Sequence, residues 1–307
     1  MRTNFFLTCV TIAFLFCAFF ASFNYFVSRK NPKQSDLNTI ADKVSADLAV
    51  PVVPAPVETF NILVVPGHNT KDGGGNFKTV YERDLVAAIG TKISDRFNED
   101  PKFKAIVTRS ADAWNPIFDK YFEDEKQAII DWKNERQKES KALMAEGKIK
   151  YVPDMAFHSE VTPEVSVKLY GMNKWANDND IDLIVNLHFN DSIRTPMSVP
   201  GGFKGFTIFI PESQMKNHTS SEAAAQYVFD ELKKIEPPEL DNLLEDQSLI
   251  SLGASGTLNP PSMLIEYAYI YEKNLLTDAD REKTIDQMAQ QTVLGIRDYF
   301  DALNKDK

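Results

Sequence analysis

Two histidines each close a strongly apolar run: His68 follows ILVVPG, and His188 stands in IVNLHFND. Two carboxylates stand in related places. Glu82 comes fourteen residues after His68, near the start of a run with helical spacing, and Glu266 lies within MLIEYAY. Taken singly, each has an ordinary explanation. A histidine after a strand can be a hydrogen-bonded loop residue, and a glutamate in a first helical turn is favoured by the helix dipole. Glu266 is the least ordinary, because a carboxylate inside an apolar run is expensive to bury unless it is paired or serves a metal site. Taken together, two histidines and one carboxylate can fill three positions of a tetrahedral zinc and leave the fourth for water. A further carboxylate beside that water can act as a general base and then as an acid.

These side chains need elements that bring them together. FNILVV (60–65), FKAIVTR (103–109), IDLIVNLHF (181–189), GFTIFI (205–210) and SMLIEYAY (262–269) read as strands. Residues 80–97, 118–147, 163–178, 219–235 and 279–303 read as helices, with Gly147 stopping the second and Pro163 opening the third. The alternation predicts an α/β fold, with a single mostly parallel or mixed sheet flanked by helices on both faces. In open sheets of this kind, ligand sites lie beyond the carboxyl ends of strands, which is where both histidines fall. The Gly73-Gly74-Gly75 run lacks the GK[ST] of a phosphate loop and reads as a flexible connection returning the chain to Glu82.

Composition narrows the function further. The chain has 307 residues, 43% hydrophobic, and a formal net charge of −10. That charge argues against a general nucleic-acid binder, which would need a basic face to displace counterions. The only cysteines, Cys9 and Cys17, lie in an N-terminal apolar run, which leaves neither a disulfide framework nor a cysteine zinc site. That run, Phe5 to Val27, matches the roughly 20 residues needed to cross a bilayer. It predicts a transmembrane anchor over 1–30, with a cleaved signal sequence as the alternative. Arg2 precedes the run and Arg29, Lys30 and Lys33 follow it, so charge alone does not set its orientation. Residues 31–58, with Pro51, Pro54 and Pro56, read as an extended spacer ahead of a domain at 59–307.

Other chemistries lack their signatures. His158 in HSE has no following PCxxC, HExxH is absent, and LGASGT lacks nucleophile-elbow spacing. His158 and His218 stand in polar contexts and read as surface residues.

PGHNTKD, then Glu82, then NLHFN, then MLIEYAYIYEKN, in this order over roughly 60–302, resemble the zinc-dependent N-acetylmuramoyl-L-alanine amidases of the amidase-3 type. That family typically shows a strand ending in DPGHGG, a glutamate opening the next helix, a strand ending in SxHxN and a late VExGFxSN-like segment. The resemblance implies that His68, Glu82 and His188 bind Zn2+, that Glu266 is the catalytic glutamate, and that peptidoglycan is the substrate. Asn190, two residues beyond the metal histidine, would position substrate or brace its loop. The sequence departs from the pattern at Val65, at Asn69-Thr70 and at Tyr267-Ala268-Tyr269, and SLGASGTLNPPSM lacks the usual arginine. None of these removes a ligand; they bear on the substrate groove.

Two further readings stay open: a related zinc peptidase cutting another amide of peptidoglycan, and an inactive wall-binding scaffold. The chain end released on digestion separates them. An insertion at about 112–162, with the charged 118–147 helix, fits a solvated decoration, a docking helix for a protein activator, or a lid. The implied substrate places the domain outside the cytoplasm, held by a single-pass anchor at the cell membrane.

Overall fold

The computed structural model describes residues 59–69, 73–153 and 161–305. The expected anchor and spacer lie outside the described residues, as does His158. Among the described residues, no helix is long and apolar enough to cross a membrane.

A six-stranded sheet runs in the order β4-β1-β5-β8-β6-β7. Its strands are β1 (Phe60–Pro66), β4 (Phe103–Val107), β5 (Leu183–Asn190), β6 (Thr207–Pro211), β7 (Leu244–Asp246) and β8 (Ser262–Tyr269). The first four positions in that order are parallel; β6 pairs antiparallel with β8, and β7 runs parallel to β6. A two-stranded hairpin, β2 (Asn76–Phe77) and β3 (Val80–Tyr81), stands apart.

The near-continuous apolar runs have a direct cause, because helices cover both faces and leave no solvated side on the inner strands. On one face α1 (Glu82–Asn98), α5 (His218–Leu232) and α6 (Asp278–Lys305) bury Ile89, Ile93, Val228 and Ile296 against Ile62, Val64, Val185 and Ile265. On the other, α2 (Pro116–Asp124), α3 (Lys126–Ala145) and α4 (Pro163–Asp178) pack Phe118, Ile129 and Trp175 near Leu63, Val65 and Ile184. The expected layered α/β architecture is therefore present.

Local signals explain several boundaries. Thr162 caps α4 by accepting a hydrogen bond from Val165 N at 3.3 Å, with Pro163 in its first turn. Gly147 takes φ +70 after α3, where Lys148 N donates to Leu143 O at 2.9 Å. The expected single helix over 118–147 is two helices. Asn115 caps the first by accepting from Ile117 N, and the chain leaves helical geometry at Glu125 (φ −101, ψ 13). No proline or glycine marks that break in the sequence.

Candidate active site

The carboxyl ends of β1, β5 and β8 sit side by side, with β5 central. Pro66 is in register with Leu187, and Gly67 N donates to Leu187 O at 2.9 Å. The next residue, His68, has φ +61, the left-handed region that costs a side-chain-bearing residue about 1–2 kcal/mol. The turn sends its imidazole toward α1. There Nε2 lies 3.0 Å from Glu82 Oε1, and His188 Nδ1 lies 3.0 Å from the same oxygen. The two rings meet edge to face with centroids 5.0 Å apart. All three ligand-type atoms lie within 4.8 Å of one another. Sequence reasoning singled out these three, and the fold brings them together.

Glu82 opens α1 and is 4% exposed. Its N–H donates to Gly75 O at 3.0 Å, Gly75 N donates to its Oε2 at 2.8 Å, and Phe189 N donates to its Oε1 at 3.1 Å. Burial pushes this carboxyl up, but hydrogen bonds and charge from His188 and His68 outweigh it and hold the group well below the usual carboxylate range. The carboxyl is thus ionised and can only accept, so the imidazole nitrogens that face it at 3.0 Å act as N–H donors.

Glycine is required where these groups crowd the backbone. A Cβ on Gly67 would stand 2.2 Å from His188 Cε1. One on Gly74, at φ +66, would stand 2.4 Å from Glu82 Oε2 and 2.6 Å from the His68 ring. The triple-glycine run therefore differs from the flexible connection expected of it. Gly74 lies pressed against two candidate ligands, and Gly75 bonds both the N–H and Oε2 of Glu82.

Glu266 lies directly opposite His188 in the β5–β8 register, and opposite Thr207 on its other side. Its Oε2 is sealed from solvent and has no hydrogen-bond partner among the described residues. Burial, with the charges of Glu82 and Glu239 added, drives this carboxyl well above the ordinary glutamate value. Two carboxylates beside one another are thus pushed in opposite directions, the pattern that separates a group kept ionised from one that exchanges a proton.

A cavity of about 550 Å³ opens on these groups. His68, Glu82, His188, Glu266 and Asn190 line it, and Trp114, Val165, Leu169, Phe209 and Leu249 add apolar lining. Asn190 sits at the end of β5, where the register with β8 shifts, and its carbonyl accepts from Ile270 N at 2.9 Å. No residue of 118–147 lines the cavity, although Trp114 and Val161 on either side of that segment do. His218 starts α5 and bonds Pro211 O through Nδ1 at 2.8 Å, outside the cluster. Trp114, Lys168 and Arg109, which closes the FKAIVTR run, escaped sequence reasoning. For Arg109 the available signal was a lone cation ending an apolar strand.

The donor set fits a divalent cation of the zinc type. Two imidazoles and one ionised carboxylate converge, as zinc sites with an open position require. The unpartnered Glu266 Oε2 beside them is a buried polar atom that such a site would give a use.

Known proteins agree with this architecture. The CwlD amidase from Clostridioides difficile, solved in complex with the GerS lipoprotein, matches 80% of this chain and 100% of its own, at 17% identity and TM-score 0.53. An N-acetylmuramoyl-L-alanine amidase from Clostridium difficile 630 matches 80% and 98%, at 17% identity and TM-score 0.50. At such identity the likeness is one of fold. A search of curated proteins finds no match. The family model for N-acetylmuramoyl-L-alanine amidase of the amidase-3 type matches residues 62–298, a span that contains His68, Glu82, His188, Asn190 and Glu266. With more than half its length matched in this way, the chain belongs to the N-acetylmuramoyl-L-alanine amidase family.

Proposed function

We propose that the protein is a zinc-dependent hydrolase of the amide between N-acetylmuramic acid and L-alanine in peptidoglycan, with His68, Glu82 and His188 as ligands and Glu266 as the proton carrier. The observation that carries this reading is the placing of a carboxylate with a sealed, unpartnered oxygen in register with one of three converging ligand-type side chains. A bound zinc supplies Lewis acidity and lowers the pKa of a coordinated water. His68 and His188 would contribute imidazole nitrogens, and Glu82 a charge that its two backbone N–H donors keep in place. Glu266 would take a proton from water and deliver it to the departing amine nitrogen of L-alanine as the carbon–nitrogen bond breaks. Its raised pKa suits the second half of that exchange, since it retains the proton until the nitrogen can accept it. Asn190 lines the cavity next to these groups, in a place to hold the substrate against them.

The proposal extends to the setting. A single-pass anchor at 1–30 and a proline-containing spacer at 31–58 would hold the domain against the cell wall outside the membrane, and 112–162 would be an insertion into the family core. The outer face of α3 is charged and exposed and contributes nothing to the cavity, which suits docking of a protein activator better than a lid.

Zinc content and muropeptide release decide the matter for wild type, His188→Ala and Glu266→Ala. The expected result is one zinc per wild-type chain and a new L-alanine amino terminus. Zinc is expected to be lost in His188→Ala and retained without activity in Glu266→Ala. A metal-free wild type, or a fully active Glu266→Ala, overturns the proposal.

A further inference from the structure

Arg109 follows β4 and is 2% exposed, yet no carboxylate is among its hydrogen-bond or ion-pair partners in the described residues. A fully buried guanidinium is normally matched by an anion. Here its donors go to backbone carbonyls. Nε donates to Pro66 O at 3.2 Å, Nη1 to Ser110 O at 2.8 Å, and Nη2 to Gly67 O and, at 3.4 Å, to Arg83 O. Pro66 and Gly67 immediately precede His68, and Arg83 immediately follows Glu82. One planar group thus touches both segments that deliver these side chains, from a third segment of the chain that follows β4. Its own backbone is fixed as well, by a bridge to Trp114 in the cavity wall.

We propose that Arg109 is a positioning residue for the metal centre: its guanidinium sets the separation of His68 and Glu82 by tying the backbone ahead of one to the backbone behind the other. The inference rests on the reading of His68 and Glu82 as zinc ligands. Two features make such a tie necessary. His68 holds a left-handed backbone conformation that would relax if its turn were released. Thirteen residues, including three glycines, lie between it and Glu82, so chain connectivity alone does not set the spacing. Only a forked donor can reach carbonyls on two segments at once, and a lysine presents its hydrogens from a single point. Burial pulls the guanidinium pKa down to about 10, against the favourable charges of Asp84 and Glu82, so the group is still charged at neutral pH.

A simpler role, satisfying buried carbonyls, would make Arg109 matter for stability and leave the metal untouched. Zinc affinity of the folded apo protein separates the two. It is read by competition with a chromogenic chelator, beside the Co2+ ligand-field spectrum and the apo melting temperature. Arg109→Lys is expected to weaken zinc binding roughly 10–100-fold, as loss of groups that orient ligands does elsewhere. It should also change the Co2+ spectrum, and saturating zinc should restore much of kcat. A variant that melts earlier but keeps wild-type zinc affinity and spectrum overturns the proposal. If Arg109→Lys does not fold, Arg109→Ala is titrated with and without sub-denaturing guanidinium. Restored folding with restored zinc affinity supports the tie, and restored folding alone overturns it. A wild type that binds no zinc removes the ligand set itself, a result distinct from wild-type binding that ignores Arg109.

Discussion

The site has two halves built in different ways. His68 and Glu82 arrive by turns: one sits in a left-handed conformation after Pro66-Gly67, and the other opens a helix behind a glycine loop. His188 and Glu266 arrive by strand pairing, directly opposite each other on β5 and β8 in the middle of the sheet. The turn-built half needs glycines, backbone hydrogen bonds and a buried guanidinium to define its geometry. The strand-built half needs only its register, which buried faces on both sides of the sheet enforce. The halves also differ in charge. Glu82 is wrapped by donors and held ionised, whereas Glu266 has a sealed oxygen without a donor and is driven toward its neutral form. One residue type is thus pushed toward opposite protonation states by opposite surroundings.

The comparison can be broken most forcefully on the strand side. Glu266→Gln keeps shape and register, so zinc binding is expected to persist while kcat falls about 10²–10⁴-fold, the usual worth of a general acid–base group. Next in size is the turn side. Gly67→Ala places a methyl 2.2 Å from the His188 ring, so zinc affinity and activity are both expected to fall, the latter roughly 10²-fold, as for a misplaced reacting group. If Gly67→Ala leaves zinc affinity intact, the crowding seen between the halves is not what sets the site.

The charge contrast is sharpened by melting the apo proteins across pH. Glu82 has a folded pKa below its unfolded value of about 4.3, so its contribution is present above that pH and is lost as pH falls toward the folded pKa. Glu82→Gln is therefore expected to destabilise the apo protein by about 1–3 kcal/mol near neutrality, and the deficit should shrink in acid. Glu266 is the reverse. With its folded pKa raised, the folded state binds the extra proton, and stability declines as pH rises above about 4.3. Glu266→Gln is therefore expected to leave the neutral-pH apo melting temperature unchanged or raised. Matching signs for the two substitutions would contradict the contrast.

The smallest effect is expected outside the site. Lys92 Nζ reaches Glu282 Oε1 at 2.6 Å and Asp286 Oδ1 at 3.3 Å, joining α1 to α6 at the surface. Lys92→Met should cost less than about 1 kcal/mol in chemical denaturation and leave zinc affinity unchanged.

The sequence was most readable where burial dictates residue type. SMLIEYAY and residues 163–178 coincide with β8 and α4, because an unbroken apolar run and a capped, proline-led helix are strong local signals. Both histidines and both glutamates were visible, because a polar residue in or just beyond an apolar strand stands out. What escaped depends on contacts between distant segments. The β2–β3 hairpin has two residues per strand, too few for any period. The reversal of β6 against β8 is a matter of topology that GFTIFI does not encode. The break at Glu125 has no proline or glycine to announce it. Gly74 looked like slack chain, since its crowding by His68 and Glu82 exists only once the chain has turned back. Arg109 looked like a strand end, since its partners other than Ser110 lie more than twenty residues away in sequence.

The most direct test of the account is a crystal structure of the zinc-loaded protein with anomalous data collected across the zinc edge. One strong peak is expected among His68 Nε2, Glu82 Oε1 and His188 Nδ1, at roughly 2.0–2.2 Å from each. Glu266 should stand beside that peak and not coordinate it. A peak at other residues, or no peak from protein that is active without metal, would contradict it.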